Sequence, residues 1–249
     1  MDDSVDVTIV TGANGEIGFS VCEELAKLGY SVIAVTRKNE NAKFSSVKGR
    51  IPIRNVVVPN LSEPEPILEI LRKKEIREAN SINLVYGAAV FERVSDFRDV
   101  TPEIWDRALS VNLKSAYLWN QLVADFAIGI QKSCSIVNIT SQAWMTGGYG
   151  EVIAYASSKG GLVSMTKALA RVVAPSNVRV NCVAPGFIET KSMRGSLNDS
   201  QMTDFLTRVP MSRLGHVAEV ANAIEFLISS KSSYITGVTL AVTGGQLMH

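Results

Sequence analysis

The sequence predicts an α/β fold class, a doubly wound seven-stranded parallel sheet with helices on both faces. Three observations predict it. Short apolar runs rich in β-branched residues alternate with amphipathic stretches, the runs are nearly continuous in apolar residues, and no linker or change in composition divides the 249 residues. Strands have this character when helices cover both faces of their sheet. We therefore expect a single domain over residues 1–249.

The predicted strands are bounded mostly by Gly, Asn or Pro. They are Val5–Thr11, Ser31–Val35, Ile51–Val58, Ile82–Tyr86, Ser135–Ile139, Val178–Val183 and Val238–Val242. The stretches between them carry apolar residues at helical spacing. These predicted helices are Ile17–Leu28, Pro64–Arg77, Pro102–Phe126, Val152–Val173 and Val217–Ile228. The polar segment Glu189–Pro210 is the least regular part of the chain, and we expect it to be a mobile flap over a site.

Composition and charge narrow the class of protein. Hydrophobic residues make up 46% of the chain and charged residues 20%, as in an ordinary globular domain. The 25 basic and 24 acidic residues leave a net charge of +1, so we expect neither nucleic acid nor a membrane surface as a partner. No apolar window reaches the length of about 18 residues that a membrane span needs. The acidic start lacks the basic region of a secretory signal.

The cysteines and histidines are few and scattered. Cys22, Cys134 and Cys182 lie far apart, as do His216 and His249. Such a set predicts neither a disulfide framework nor a metal site. We expect a cytoplasmic protein with free thiols.

A glycine-rich turn follows the first strand and opens the first helix. The segment Thr11–Gly18 reads TGANGEIG. Glycines at this position let backbone N–H groups approach a pyrophosphate, and the helix N-terminus adds partial positive charge. The turn predicts dinucleotide binding, and the alternative is a tight connection without a ligand.

The end of the second strand indicates which dinucleotide binds. Thr36, Arg37 and Lys38 stand where an acidic residue would bind the ribose hydroxyls of NAD(H), and no Asp or Glu occurs before Glu40. An arginine there accommodates the 2′-phosphate of NADP(H). We expect NADP(H) rather than NAD(H), while a solvated basic pair is the alternative.

A tyrosine and a lysine lie four residues apart in the fourth predicted helix. At this spacing Tyr155 and Lys159 share one helix face. A nearby ammonium favours the phenolate, so we expect Lys159 to lower the Tyr155 pKa and to make the phenol a usable proton donor or acceptor. The preceding strand ends at Thr140 and Ser141, at the sheet edge where ligands bind in such folds.

Several other residues compete for a place in the site. Trp144 and Met145 follow Ser141, and they either line a substrate pocket or lie in the core or at an interface. Tyr149 is a rival hydroxyl, but no lysine follows it four residues later.

In their order and spacing these features resemble the short-chain dehydrogenase/reductase family, over essentially the whole chain. The nearest branch is similar to the 3-oxoacyl-[acyl-carrier-protein] reductases. The matching segments are Thr11–Gly18, Val111-Asn112, Ser141, Tyr155 with Lys159, Pro185–Thr190, Arg213–Gly215, Tyr234–Gly237 and Gly244-Gly245.

The resemblance implies a single-domain Rossmann fold with a catalytic tetrad of Asn112, Ser141, Tyr155 and Lys159. Tyr155 would exchange a proton with the substrate oxygen while a hydride moves to or from the nicotinamide. Ser141 would bind the same oxygen, and Lys159 would hold the nicotinamide ribose. Asn112 would kink its helix and position a water in the proton relay.

The resemblance also implies which residues bind the cofactor. Pro185–Thr190 would wrap the nicotinamide end, and Asn60 with Leu61 would lie near the adenine. The implied cofactor-binding residues are Gly12, Asn14, Gly15, Glu16, Ile17, Gly18, Thr36, Arg37, Asn60, Leu61, Gly87, Ala88, Tyr155, Lys159, Pro185, Gly186, Ile188 and Thr190.

Relatives in the family are usually tetramers, so we expect a homotetramer that pairs the long helices Pro102–Phe126 and Val152–Val173 and the last strand Val238–Val242 across subunits. We expect a small-molecule or carrier-bound carbonyl or alcohol as the substrate.

Three positions and one spacing depart from the family pattern. Glu16 replaces the second glycine of the turn, Tyr86–Ala89 reads YGAA where the family has NNAG, and Thr243 replaces an Asp. The interval of 14 residues from Ser141 to Tyr155 is one longer than the common spacing. A carboxylate at Glu16 either repels a pyrophosphate or points outward beside the helix N-terminus.

Two hypotheses follow. The first is an NADP(H)-dependent oxidoreductase that interconverts a ketone and a secondary alcohol. The alternative, motivated by Glu16, Gly87 and Thr243, is a catalytically weak or inactive family member that acts as a cofactor-binding or structural subunit.

Overall fold

The fold is seen in a computed structural model that describes residues 5–149, 152–196, 202–203 and 206–248. In these residues seven strands form one parallel sheet in the order β3-β2-β1-β4-β5-β6-β7. The predicted seven-stranded parallel sheet is confirmed. The strands are β1 (Val7–Thr11), β2 (Ser31–Thr36), β3 (Arg54–Val57), β4 (Ser81–Tyr86), β5 (Ser133–Ile139), β6 (Val178–Pro185) and β7 (Thr239–Val242).

Helices connect the strands and cover the sheet. They are α1 (Glu16–Lys27), α2 (Asn41–Ser45), α3 (Glu65–Leu71), α4 (Lys74–Arg77), α5 (Pro102–Leu109), α6 (Ser115–Gly129), α7 (Ala143–Thr146), α8 (Ile153–Val173), α9 (Lys191–Ser196) and α10 (Val217–Ile228). None of the described helices is long and apolar enough to cross a membrane.

The core has two layers because successive strand residues point to opposite faces of the sheet. Ile9 packs with Trp119 of α6 and Leu162 of α8 on one face. Its neighbour Val10 packs with Leu25 of α1 and Ile224 of α10 on the other face. Helices on both faces confirm the doubly wound arrangement.

The predicted helix Pro64–Arg77 is broken into α3 and α4 at Lys73, whose backbone is extended. Successive residues of a helix are rotated by about 100°, so in an unbroken helix Ile76 would face away from Ile67. The break turns Ile76 back into the core, and both side chains are fully buried. The unbroken helix was therefore a wrong prediction.

The predicted helix Pro102–Phe126 runs as α5 and α6 with one π-helical turn between them, at Ser110–Lys114. Asn112 lies in this turn, and the kink that the resemblance implies stays a prediction. The Tyr86 hydroxyl donates a hydrogen bond of 2.8 Å to the carbonyl oxygen of Val111. This bond ties the turn to the carboxyl end of β4.

The strand order reverses between β1 and β4, whose carboxyl ends are Thr11 and Tyr86. The Thr11 hydroxyl accepts hydrogen bonds from the backbone N–H groups of Gly87 and Ala88, at 3.1 and 3.3 Å. Ligands of open α/β sheets bind in the crevice at such a reversal.

The segment expected to be a flap, Glu189–Pro210, begins with α9. Its residues 197–201 and 204–205 lie outside the described residues. The expectation that this segment is mobile therefore stays a prediction.

Candidate active site

Two adjoining cavities of about 510 and 300 Å³ open at the carboxyl edge of the sheet. All predicted site residues except one line at least one of these two cavities. The larger cavity is lined by Gly12, Gly15, Glu16, Ile17, Gly18, Gly87, Ser141, Tyr155, Lys159, Pro185, Gly186, Ile188 and Thr190. The smaller one is lined by Gly12, Asn14, Gly15, Thr36, Arg37, Asn60, Leu61, Gly87 and Ala88. The exception is Asn112, which lines neither.

The glycine-rich turn leaves no room for side chains at two positions. Gly12 has a φ of +67°, and a Cβ there would lie 2.7 Å from the backbone nitrogen of Ala88. A Cβ on Gly18 would collide with the carbonyl oxygen of Gly12. The turn therefore packs closely against the end of β4 and presents bare backbone to the cavities, at the start of the 12-residue helix α1. This geometry fits a dinucleotide pyrophosphate.

Glu16 lines the larger cavity beside the glycine-rich turn. Its carboxylate accepts a 2.8 Å hydrogen bond from the backbone N–H of Lys191, the first residue of α9. The side chain is exposed and lines the cavity. The carboxylate thus links the glycine-rich turn to the segment after β6, and its negative charge stays beside the place where a pyrophosphate would lie.

Arg37 is exposed at the end of β2, where it lines the smaller cavity. The preceding Thr36 is buried and held in place: its hydroxyl donates to the carbonyl oxygen of Lys38 at 2.6 Å and accepts from the amide of Asn55 at 2.7 Å. The strand end is therefore fixed while the guanidinium of Arg37 stays accessible. This arrangement suits a phosphate on the adenosine ribose.

A second cation near the glycine-rich turn was missed in the sequence. Lys43 of α2 donates from Nζ to the carbonyl oxygen of Asn14 at 2.8 Å, and it lies 4.3 Å from the ring centroid of Phe19. The helix α2 is short, and no pattern in the sequence brings Lys43 to this turn.

Tyr155, Ser141 and Lys159 converge at the inner wall of the larger cavity. Tyr155 and Lys159 come from one face of α8, as their spacing predicts, and Ser141 follows β5. The Ser141 hydroxyl accepts a hydrogen bond of 3.2 Å from the backbone N–H of Ala143. Lys159 is buried, donates to the carbonyl oxygen of Ile139 at 2.8 Å, and lies 5.6 Å from the centroid of the Tyr155 ring.

Burial controls the protonation of this group. It raises the pKa of Tyr155 above 10.0, and the Ser141 hydroxyl only partly offsets the rise. It also lowers the pKa of Lys159 from 10.5 to about 8. The expectation of a lowered Tyr155 pKa is therefore wrong for this structure, because desolvation of the phenolate is the largest influence on that pKa. Burial thus favours the protonated phenol of Tyr155 at neutral pH.

Asn112 braces the site from outside the cavity. Its side chain is fully buried, accepts from the backbone N–H of Val90 at 2.8 Å, and donates to the carbonyl oxygen of Val90 and to the hydroxyl of Ser158. Both polar atoms of the side chain are engaged by protein groups. Asn112 thereby joins the segment after β4 to α8, and the water relay that the resemblance implies stays a prediction.

The substrate side of the larger cavity contains residues that the sequence did not single out. Phe91 packs edge-on against Tyr155 with ring centroids 4.9 Å apart. Tyr149, considered only as a rival hydroxyl, lines the wall beside Phe187, with ring centroids 5.5 Å apart. Trp144 and Met145 are absent from the described cavity walls. The other lining residues that were missed include Arg93, Gln142, Val152 and Met193.

Comparison with known proteins shows similarity to oxidoreductases over nearly the whole chain. The family profile described as Enoyl-(Acyl carrier protein) reductase matches residues 12–246. A 3-oxoacyl-[acyl-carrier-protein] reductase of Thermotoga maritima is 34% identical over 244 residues, which cover 97% of this chain and 98% of the relative. An acetoacetyl-CoA reductase of Acinetobacter sp. is 33% identical, over 98% of each chain.

A solved structure gives the same fold. It is a protein from Agrobacterium tumefaciens, provisionally described as a 2-deoxy-D-gluconate 3-dehydrogenase, with bound NADP. Its TM-score is 0.88 and its identity 27%, over 98% of this chain and 97% of that chain.

Proposed function

Since the chain belongs to the short-chain dehydrogenase/reductase family, as a relative of the 3-oxoacyl-[acyl-carrier-protein] reductases, we propose that it is an NADP(H)-dependent ketoreductase. It interconverts a ketone and a secondary alcohol, on a small-molecule or carrier-bound substrate. The observation that carries the proposal is the convergence of Tyr155, Ser141 and Lys159 at the wall of a cavity that continues into the glycine-rich turn.

The residues that line the two cavities would hold NADP(H). The backbone of Gly12–Gly18 would hold the pyrophosphate, Arg37 would pair with the 2′-phosphate, and Asn60 with Leu61 would contact the adenine. Gly87, Ala88 and the segment Pro185–Thr190 would contact the nicotinamide end. When bound, NADPH would supply the hydride that reduces the carbonyl carbon of the substrate.

Tyr155 and Ser141 act on the carbonyl oxygen. The Ser141 hydroxyl donates a hydrogen bond that orients the carbonyl, and the Tyr155 hydroxyl gives its proton to the oxygen as negative charge develops there. Because burial raises the pKa of Tyr155, the protonated form needed for reduction is populated at neutral pH. The reverse reaction, alcohol oxidation, needs the phenolate and is favoured at higher pH.

Lys159 stabilises the phenolate that proton donation leaves behind. With a pKa of about 8, most of the Lys159 side chains are protonated at pH 7. The ammonium lies 5.6 Å from the Tyr155 ring centroid, so it lowers the energy of the anion formed in the transition state more than that of the neutral ground state. Asn112 positions α8, and thus both residues, through Ser158.

The assembly and the compartment belong to the same proposal. Large apolar side chains are exposed on the long helices, namely Trp105, Tyr117 and Val172, and another, Val238, precedes β7. A homotetramer would cover these faces. Three buried free thiols suit the reducing cytoplasm, where we place this single-domain enzyme.

The test is a titration of the purified protein with NADPH, followed by turnover of a panel of ketones. The proposal predicts a change in NADPH fluorescence on binding and NADPH oxidation that depends on a ketone. Binding without turnover of any ketone would favour the alternative, a cofactor-binding subunit. Light scattering at micromolar concentration should give four times the mass of the chain, and a monomeric mass would contradict the proposed assembly.

A further inference from the structure

Arg93 is a charged residue in the larger cavity to which the proposed mechanism gives no role. The charged side chains among the described lining residues are Glu16, Arg93 and Lys159. Lys159 belongs to the catalytic group, and Glu16 is bound to Lys191 on the side of the glycine-rich turn. Arg93 lies on the other side, in the segment that follows β4.

The contacts of Arg93 leave its charge available. Its guanidinium donates to the carbonyl oxygen of Tyr149 at 3.3 Å and lies 6.0 Å from the ring centroid of Phe91. Within the described part of the chain it has no carboxylate within 4.0 Å, unlike Arg54, Arg98 and Arg107. An exposed guanidinium that is fixed by one carbonyl keeps several N–H donors for an anion.

The position of Arg93 relative to Tyr155 sets the length of the ligand. The centroid of the Phe91 ring lies 4.9 Å from that of Tyr155 and 6.0 Å from the guanidinium carbon of Arg93. A substrate whose carbonyl reaches Tyr155 therefore needs to pass only one aromatic ring before it reaches Arg93. Phe91, Val152 and Phe187 make the wall between them largely apolar.

From this arrangement we infer that Arg93 binds a carboxylate of the substrate, and that the preferred substrate is a short aliphatic oxo acid. The inference rests on the proposed ketoreductase function and narrows it. The carbonyl lies at Tyr155 and Ser141, the aliphatic linker lies along Phe91, and the carboxylate pairs with the guanidinium of Arg93.

The test compares acids with their own esters. Reduction by NADPH is measured for 3-oxobutanoate, 4-oxopentanoate and 5-oxohexanoate, each beside its methyl ester, which keeps the ketone and removes the charge. The enzyme variants are Arg93→Gln and, as a matched control, Arg98→Gln, which removes an arginine of the same segment that does not line the cavity.

At least one acid should have a kcat/KM tenfold or more above that of its ester in the wild-type enzyme. Arg93→Gln should lower the kcat/KM of that acid by about 10- to 100-fold, mainly through KM, because a charge-assisted hydrogen bond is lost. The value for the ester should change by less than about threefold, and Arg98→Gln should leave both unchanged. Equal use of acid and ester, or an acid preference that survives Arg93→Gln, would overturn the inference. So would a preference for acetonyl phosphate over all three acids.

Measurements of substrate binding distinguish a failure of the proposed anion site from a failure of the proposed ketoreductase function. Calorimetry in the presence of NADP⁺ should detect binding of the preferred acid to the wild-type protein and a loss of that binding in Arg93→Gln. If no ketone is reduced but the acid still binds through Arg93, the proposed reaction fails while the anion site stands. If ketones and esters are reduced but no acid binds, the anion site fails while the reaction stands.

Discussion

Replacement of Lys159 by methionine should make the protein more stable at neutral pH while it removes activity. The buried ammonium has a pKa of about 8 instead of 10.5, and each pKa unit corresponds to about 1.4 kcal/mol. The protonated side chain therefore destabilises the fold by roughly 3 kcal/mol at pH 7. Methionine removes this cost but leaves the carbonyl oxygen of Ile139 without its donor. The lost hydrogen bond cancels about 1–2 kcal/mol of the stabilisation gained by removing the charge. The net gain in the free energy of unfolding is about 1–2 kcal/mol.

The pH dependence of this gain is the sharper part of the prediction. The unfolded chain binds more protons than the folded chain between about pH 8 and pH 10.5, so the stability of the wild-type protein rises with pH across that window. Between pH 7 and pH 9.5, the free energy of unfolding of the wild-type protein should therefore rise by about 2 kcal/mol relative to that of Lys159→Met. The advantage of the variant should therefore vanish near pH 9.5.

Urea unfolding of both proteins at pH 7 and pH 9.5, at one protein concentration, measures these differences. Arg171→Met is the matched control, because Arg171 lies on the same helix and is exposed. Its effect should stay within about 0.5 kcal/mol at both pH values. A difference between Lys159→Met and the wild-type protein that is the same at both pH values would refute the assignment of a costly buried charge.

Three further predictions concern the cofactor site and the π-helical turn. Arg37→Asp should weaken NADPH binding at least tenfold and keep NADH affinity within about threefold of the wild-type value, since a contact with phosphate becomes a repulsion. Equal losses of affinity for both cofactors in fluorescence titrations would disprove the 2′-phosphate contact. Glu16→Gln should tighten NADP⁺ binding severalfold at low salt and less at high salt, because a negative charge beside the pyrophosphate is removed. An unchanged affinity would mean that the carboxylate does not face the phosphates. Tyr86→Phe should lower the free energy of unfolding by about 1 kcal/mol, because the carbonyl oxygen of Val111 loses its donor, whereas Tyr117→Phe on the exposed surface should not. Equal effects of the two variants in urea unfolding would argue against that bond.

The sheet and most of its helices could be predicted because their signals are local. A run such as Ile82–Tyr86 is apolar enough to require burial on both faces, and every predicted strand corresponds to an observed one within a few residues. The break at Lys73 could not be predicted, because it depends on where Ile76 lies relative to the finished sheet.

The candidate site was predictable where its residues belong to one turn or one helix. Within the Gly12–Gly18 turn, and for the pair Tyr155 and Lys159, the spacing in the sequence determines how the residues lie relative to one another. Arg93 and Lys43 lie in irregular segments that only the folded chain brings to the cavities. The pKa of Tyr155 was predicted with the wrong sign, because spacing shows a neighbouring charge but not the desolvation of both groups.

Proton donation by Tyr155 is the central claim, and Tyr155→Phe tests it most directly. The substitution removes one oxygen and keeps the ring that packs against Phe91, so folding and NADPH affinity should be preserved. With a ketone that the wild-type enzyme reduces well, kcat should fall by about 100-fold or more, the range typical of lost general acid catalysis. Tyr149→Phe, which changes the other tyrosine of the cavity, should reduce kcat far less. If Tyr155→Phe keeps most of the wild-type kcat, Tyr155 is not the proton donor and the proposed mechanism is contradicted.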